Sequence, residues 1–406
     1  MNVKISKLQN ISIDNYINYL FVLYAFLLPI SRGGISILTA LLFVLWLFSD
    51  NFKSKLAFIK SDKTTMYILA FIGFSLLSLL WSNDPLGGFA YIRKYWYFLV
   101  IPVIASSIDK RYLVYAISAF LAGMLISEAL SYSIFFELIK WKHGSPNDPT
   151  PFMNHLQYSM FLTFASLLLL NRFFFEQEIK RRVFYFLYFL VVTSNLFLNG
   201  GRTGHLAFAI SIFAVGFLNI KNKFLAFFSM LLLASSIFYT AYHVSPVFKN
   251  RFDASVTEAQ NITDKGAFCG SFGSRLGMWI VGSEIFLENP ILGVGVTKEI
   301  DEMVARVKES HPDKMCIIHL PSYHNMFVQS AVHLGIVGLF LYLMIFYTVL
   351  KLKIKNREYH NLMIIFVSVF CVSSLVETMF HEQFSMALFA LFVGIFIGLS
   401  RMKNEV

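Results

Sequence analysis

The sequence predicts an all-α, polytopic membrane protein of about twelve transmembrane helices, with one large, partly helical loop between the ninth and tenth. Three observations carry this. Hydrophobic residues make up 57% of the 406-residue chain and charged residues only 14%, and mean hydropathy is +0.63, a balance far from that of a soluble domain. The apolar residues fall in blocks long enough to cross roughly 30 Å of hydrocarbon as helices of about 20 residues, or somewhat fewer where the flanks snorkel. One long polar stretch, 242–323, interrupts the series and ends at His324 and Asn325, where the next block begins.

The first block, 15–30, follows a polar start containing Lys4 and Lys7 and has no small-residue cleavage site after it, so a retained helix is expected and not a signal peptide. The remaining blocks are 34–49, 65–81, 95–108, 112–137, 156–170, 183–198, 205–218, 224–241, 324–350, 361–379 and 384–400. Their orientation follows from Lys and Arg, which accumulate in short cytoplasmic loops. With the N-terminus inside, the inner connections hold Lys53, Lys55, Lys60 and Lys63; Lys110 and Arg111; Arg172, Lys180, Arg181 and Arg182; Lys221 and Lys223; Lys351, Lys353, Lys355 and Arg357; and finally Arg401 and Lys403. Every inner connection is basic. The outer side then receives the turn 31–33, the loops 81–94, 140–155 and 199–204, and the long loop itself. Both termini are expected in the cytoplasm. The net charge of +10 is accounted for by this topology and by attraction to the membrane surface, with no ground for a nucleic-acid partner.

Neither an internal repeat nor a linker divides the chain, so 1–406 is expected to be a single membrane domain with 242–323 inserted as a loop. Within that loop Pro246 opens a polar run through Asp264. An apolar helical pattern over 276–287 stops at Asn289 and Pro290, and the turn Gly293, Val294, Gly295 follows. A second short helix is predicted over 298–310, where Glu299, Asp301, Glu302, Arg306, Lys308 and Glu309 make a solvated face. A loop this long is expected to pack as a cap over the bundle. Cys371 sits in a span as packing, whereas Cys269 and Cys316 share the outward loop, an oxidising place in a bacterium. They are a candidate disulfide, which spacing alone leaves open.

Four outward features bear on chemistry. The turn Asn199, Gly200, Gly201, Arg202, Thr203, Gly204 either anchors a helix end at the headgroups or lets glycine backbone approach a ligand while Arg202 offers a planar fork of donors to a phosphate. Gly273, Ser274, Arg275 and Trp279 open the apolar loop helix, and Arg275 lies near its start, where free amides and the helix dipole favour an anion. Pro321, Ser322, Tyr323, His324 and Asn325 lead through Gln329 into Leu334, Gly335, Ile336, Val337, Gly338 and Leu339. The histidine is either interfacial or a general base for a sugar hydroxyl, a role imidazole suits near neutral pH. A looser set comprises Arg32, Arg93, Lys94, His155, Glu377, His381 and Glu382. Of these, Arg93 and Lys94 either snorkel or line a lipid phosphate path, and Glu377, set in an apolar run, needs a partner, His381 being nearest in sequence. His311, His319 and His324 are spaced too irregularly for zinc, and no Asp-rich motif suggests magnesium. Metal-independent chemistry without a cofactor is expected, with arginines neutralising a pyrophosphate leaving group.

On these residues the chain resembles the bacterial O-antigen ligase and polymerase superfamily: Gly201-Arg202-Thr203-Gly204; Ser274-Arg275 with Trp279; the exit from Asn289-Pro290 to Gly293-Val294-Gly295; and His324-Asn325 with Leu334-Gly335-Ile336. Their order and their positions relative to the spans make the resemblance, since each is unspecific by itself. It implies a glycosyltransferase of GT-C-like architecture that moves a glycan from undecaprenyl pyrophosphate to a sugar of lipid A-core at the periplasmic face of the inner membrane, with inversion and without metal. It further implies that Arg202 and Arg275 hold the pyrophosphate and that His324 activates or orients the acceptor hydroxyl; Asn325, Arg93 and Lys94 are further candidates for contacting substrate. The chain departs from the commoner serine-arginine-glycine turn by carrying Gly201 before Arg202 and Thr203 after it.

An O-antigen ligase is the leading reading. A polymerase would use the same donor and extend another lipid-linked glycan. A protein oligosaccharyltransferase is expected to carry a larger C-terminal periplasmic part than the segment 401–406. A glycan transporter is expected to show paired halves and broken mid-membrane helices, whereas here the unusual residues gather at the outer face. The transporter parts from the enzymes on one point: whether Arg202, Arg275 and His324 converge on one outward cavity.

Overall fold

The computed structural model describes residues 12–107, 109–142 and 144–401; Lys4, Lys7 and Lys403 lie outside them. The described chain folds as helices α1 (Ile13–Leu27), α2 (Arg32–Leu47), α3 (Phe52–Ser61), α4 (Lys63–Leu77), α5 (Pro85–Ile92), α6 (Val100–Ser107), α7 (Lys110–Phe135), α8 (His155–Phe175), α9 (Ile179–Leu198), α10 (Arg202–Asn219), α11 (Lys223–Val244), α12 (Pro246–Lys265), α13 (Ser271–Glu288), α14 (Lys298–Ser310), α15 (Met326–Leu350), α16 (Arg357–Ser374) and α17 (Gln383–Arg401). Helix forms at each of the twelve predicted blocks, the fourth being split between a 3₁₀ turn (Arg93–Leu99) and α6. Among the described residues seven helices are long and apolar enough to cross a membrane: α4 with its 3₁₀ extension to Trp81, α7, α8, α9, α11, α15 and α17. The pair α2 and α3, bent by 111°, makes an eighth if it counts as one span.

Local chemistry explains where the helices begin. The side chains of Asn154, Asn222, Asn325 and Asn356 each accept a backbone N–H from the first turn of α8, α11, α15 and α16, and Asp62 and Asp109 do the same for α4 and α7. Packing then sorts the helices radially. α17 and α8 run through the centre, with 83% and 78% of their apolar windows buried, against 22% for α11 at the rim. Phe164, Phe366 and Phe392 interlock at the middle, with ring centroids 4.5 Å apart for Phe164 and Phe392 and 5.1 Å for Phe164 and Phe366. Within a bilayer such contacts stabilise through close packing, since lipid tails are as apolar as the core. Rim residues such as Phe224, Leu232 and Ile37 are exposed, as a lipid-facing surface requires.

The 242–323 region is more ordered than its composition suggests. The polar run after Pro246 is not a loop but α12, capped by Ser245, begun with proline and closed by Gly266 at φ +61°. α13 and α14 appear where predicted. Met278, Val281, Ile285, Met303, Val307, Ile317 and Tyr323 form a small core sealed by Val332 of α15. Cys269 and Cys316 are bonded, with Cα atoms 5.7 Å apart.

One junction ties this cap to the bundle. α15 is not continuous: Gly335 adopts φ +63°, ψ −159°, a region open to glycine. Carbonyls freed near that break take up the exit turn of α13, Val294 N donating to Val332 O and Gly295 N to His333 O, while Ile336 N donates to Pro290 O. A Cβ on Gly335 would stand 2.2 Å from Ile291 O, and one on Gly293 2.5 Å from His333 C. The two glycine motifs thus exist for each other.

Candidate active site

Of the sequence-predicted residues, Arg202, Arg275 and His324 meet at the end of the bundle where α10 and α15 begin and α16 ends. Arg202 is the first residue of α10. Two of the glycines around it serve packing and not ligand approach: a Cβ on Gly201 would stand 2.4 Å from His155 O, and one on Gly204 2.4 Å from Ser159 O, so these glycines let α10 lie against α8. Gly200 instead faces Arg251 of α12, whose Nε and Nη2 would be 3.0 Å from a Cβ placed there.

Arg202 Nη2 lies 3.7 Å from Glu258 Oε1. Its Nε and Nη1 are buried and have no acceptor among the described residues. Burial, and after it the charges of Arg251 and Arg275, pull the Arg202 pKa below its ordinary value, opposed by Glu258; a guanidinium remains charged regardless. Glu258 also accepts the N–H of Phe272 in the first turn of α13. The anion-favouring helix start expected beside Arg275 therefore holds a carboxylate.

Arg275 is half-extended across the site. Nε donates to Val376 O at 3.2 Å, Nη1 to Ser271 O at 2.8 Å, and Nη2 is 3.9 Å from Glu377 Oε2. Burial lowers its pKa while Glu377 and Glu258 oppose the shift. The same Glu377 carboxylate receives His324 Nδ1 at 2.9 and 3.1 Å. The partner of Glu377 is thus His324 and not His381. A carboxylate accepts only, so Nδ1 carries a proton, and in the neutral tautomer this selects, Nε2 holds the lone pair for another group.

The backbone around His324 is fixed with unusual thoroughness. His324 has φ +44°, a strained value for a non-glycine residue. Its predecessor Tyr323 donates its N–H to Gln329 Oε1 at 3.0 Å and gives its carbonyl to Trp279 Nε1 at 3.0 Å, with its hydroxyl on Glu299 O at 3.2 Å. Gln329 Nε2 touches His333 Nε2, which sits 2.7 Å from Glu299 Oε1. Asn325, expected to contact substrate, spends its side-chain oxygen on Phe327 N and Val328 N as the cap of α15. Its part is to fix the direction in which the chain leaves His324.

Arg93 and Lys94 gather with Arg32 in a separate cavity beside Glu382, where Lys94 Nζ meets His381 Nε2 at 2.9 Å. Burial first, and Lys94 second, pull His381 down to about 4, so the neutral ring accepts from the ammonium. His155 pairs with Asp148 at 3.1 Å. Arg251 and Glu258 carry no signal in the sequence because 246–264 is a polar run without apolar periodicity; seven residues apart on α12, they share one face. Taken together, Arg202, Arg251 and Arg275 outnumber Glu258 and Glu377, leaving positive charge around the Arg202 donors that nothing among the described residues accepts.

Residues 184–343 match the family described as O-Antigen ligase. The chain is also similar to an uncharacterized protein of Haemophilus influenzae, 24% identical over 338 residues, a stretch covering 81% of each chain. The matched 184–343 stretch contains Arg202, Arg251, Glu258, Arg275 and His324, the residues that the fold draws to one place, and over that stretch the chain is similar to the O-antigen ligase family.

Proposed function

We propose that the protein is an O-antigen ligase of the bacterial inner membrane. It crosses the membrane about twelve times, keeps both termini in the cytoplasm and exposes the 242–323 cap and its site to the periplasm. The donor is a glycan on undecaprenyl pyrophosphate and the acceptor a sugar hydroxyl of lipid A-core. The observation that carries the reading is the buried, unaccepted Nε and Nη1 of Arg202 beside Arg251 and Arg275. Buried donors without acceptors are costly, and a pyrophosphate supplies both the oxygens and the charge. A cavity of about 320 Å³ between α9 and α11, reaching Leu198 and Ser245 near the Arg202 turn, offers an isoprenoid chain a place to lie.

In this reading the acceptor hydroxyl gives its proton to His324 Nε2 as its oxygen attacks the anomeric carbon. The bond from that carbon to the pyrophosphate oxygen breaks with inversion, and the lipid pyrophosphate leaves with its electrons. Glu377 holds the imidazole in the required tautomer and faces the charge it acquires. The guanidiniums of Arg202, Arg251 and Arg275 meet the charge growing on the leaving group, the part a metal ion plays elsewhere.

The test is transfer from undecaprenyl-pyrophosphate-linked glycan to purified lipid A-core by the detergent-solubilised protein with EDTA present. Wild-type transfer is expected to survive EDTA and to collapse in folded His324→Ala, Arg202→Ala and Arg275→Ala. Extension of lipid-linked glycan without transfer to lipid A-core would make the protein a polymerase; full activity in the three variants would remove them from the site.

A further inference from the structure

A second cationic site lies outside the one just described. Arg32 at the start of α2, with Arg93 and Lys94 on the 3₁₀ turn after α5, lines a cavity of about 600 Å³ whose other walls include Trp96, Tyr97 and the 381–383 segment. Among the described residues none of the three cations has a carboxylate within ion-pairing distance: Lys94 bonds the neutral ring of His381, Arg32 lies over the Phe384 ring at 5.6 Å, and Arg93 has no side-chain partner. The nearby carboxyl is Glu382, which is engaged by Gln157 and held above the usual carboxylate range by burial and then by Glu377. It is poorly suited to neutralise three cations. Burial lowers the Lys94 pKa and Arg93 adds to this, while Glu382 opposes the shift without cancelling it. Lys94 is half-buried, with the exposed Arg32 and Arg93 at the mouth of the same cavity, and three convergent cations without an ion-paired carboxylate favour an anion.

Placement says which anion. The short 377–383 segment connects the two cationic groups: Glu377 touches His324 and Arg275, and Glu382 lies in the second cavity while still feeling the charges of Glu377 and His324. Arg202, by contrast, feels Glu258, Arg251 and Arg275 and none of the second group. A transferase whose substrates are both anionic amphiphiles needs two anion sites that share one base. Trp96 and Tyr97, with ring centroids 4.9 Å apart, put aromatic surface beside the charges, as a sugar ring next to a phosphate requires.

We propose that the Arg32, Arg93 and Lys94 cavity binds a phosphate group of the acceptor glycolipid, holding its sugar hydroxyl toward His324 while the donor occupies the Arg202, Arg251 and Arg275 site. This rests on the two-substrate transfer proposed above. The binding probe is inorganic pyrophosphate, titrated into the full-length protein in nanodiscs made without anionic lipid. Two sites are expected in wild type. Arg93→Gln with Lys94→Gln abolishes one, Arg202→Gln with Arg275→Gln the other, and Arg93→Lys with Lys94→Arg retains both. In transfer to lipid A-core the first pair raises acceptor KM by about 10- to 100-fold, the size of one or two lost charged hydrogen bonds, with donor KM unchanged. Enzymatic dephosphorylation of lipid A-core is expected to mimic that loss and to make Arg93→Gln with Lys94→Gln indistinguishable from wild type in acceptor KM. A single pyrophosphate site insensitive to Arg93 and Lys94, a rise in donor KM instead, or displacement of pyrophosphate by phosphatidylglycerol with no change in acceptor KM would each overturn the proposal, the last assigning the cavity to a bilayer lipid. Wild-type protein that binds two pyrophosphates but does not transfer to lipid A-core would sink the ligase reading and leave the second anion site standing.

Discussion

His324 reaches its place by a sequence of constraints, each removable alone. Glu377 lies outside the 184–343 family match, yet it is the residue that sets the tautomer of the imidazole. Replacing it with Gln keeps the shape and allows the wrong nitrogen to be protonated, so kcat is expected to fall by about 10²–10⁴-fold. Donor and acceptor KM should hold, and a parallel rise in both would point to a structural role instead. Arg251, unnoticed in the sequence, is expected on substitution by Ala to raise donor KM by about 10-fold or more; steady-state kinetics in donor at saturating acceptor reads this directly. His381 gives a pH test with a definite sign. Its folded pKa, about 4, lies below its ordinary value of 6.5, so the unfolded chain binds the proton more readily. Its contribution to stability is complete above pH 6.5 and is lost as pH falls from there through about 4. Thermal unfolding of wild type minus His381→Gln across that window should show the difference shrinking on the acid side, and a flat difference would contradict the assignment.

At the scale of elements, α15 and the α13 exit turn depend on one another through Gly335 and Gly293. Gly335→Ala places a methyl against a carbonyl at a backbone angle alanine avoids, and is expected to cost about 1–3 kcal/mol or more, seen as a lower melting temperature together with lost activity. Gly33→Ala is the control, because a Cβ there meets nothing within 4 Å and helix propensity favours it by about 0.5–1 kcal/mol. The same elements show what the sequence makes legible. Helix positions were readable because apolar length and asparagine caps are local properties. α12 was missed since its residues are polar, although Ser245, Pro246 and Gly266 supplied its start and stop signals. The break at Gly335 was invisible because it is caused by backbone arriving from Ile291, a contact no window of sequence contains. Glu377 was recognised as needing a partner but assigned the nearest histidine, whereas the fold offered one fifty-three residues away. Asn325 read as a binding residue for want of knowing that its oxygen was already committed.

For the whole molecule, the bundle supplies walls and the cap supplies charges: α10 and α15 bring Arg202 and His324, while α12 and α13 bring Arg251, Glu258 and Arg275. Loss of the Cys269–Cys316 bond, by Cys269→Ser, is expected to destabilise the cap by about 2–4 kcal/mol and to reduce transfer, read as a lower melting temperature in detergent. Glu258 adds a property of the resting protein. Its carboxylate sits on the start of α13 and beside Arg202, where the reading above puts a phosphate. Loading the donor is then an ion exchange and not a capture, one anion trading places with another that is tethered and always at hand. On that reading, when the lipid pyrophosphate departs the tether is there to return to one arm of the Arg202 fork, and the product is released by exchange.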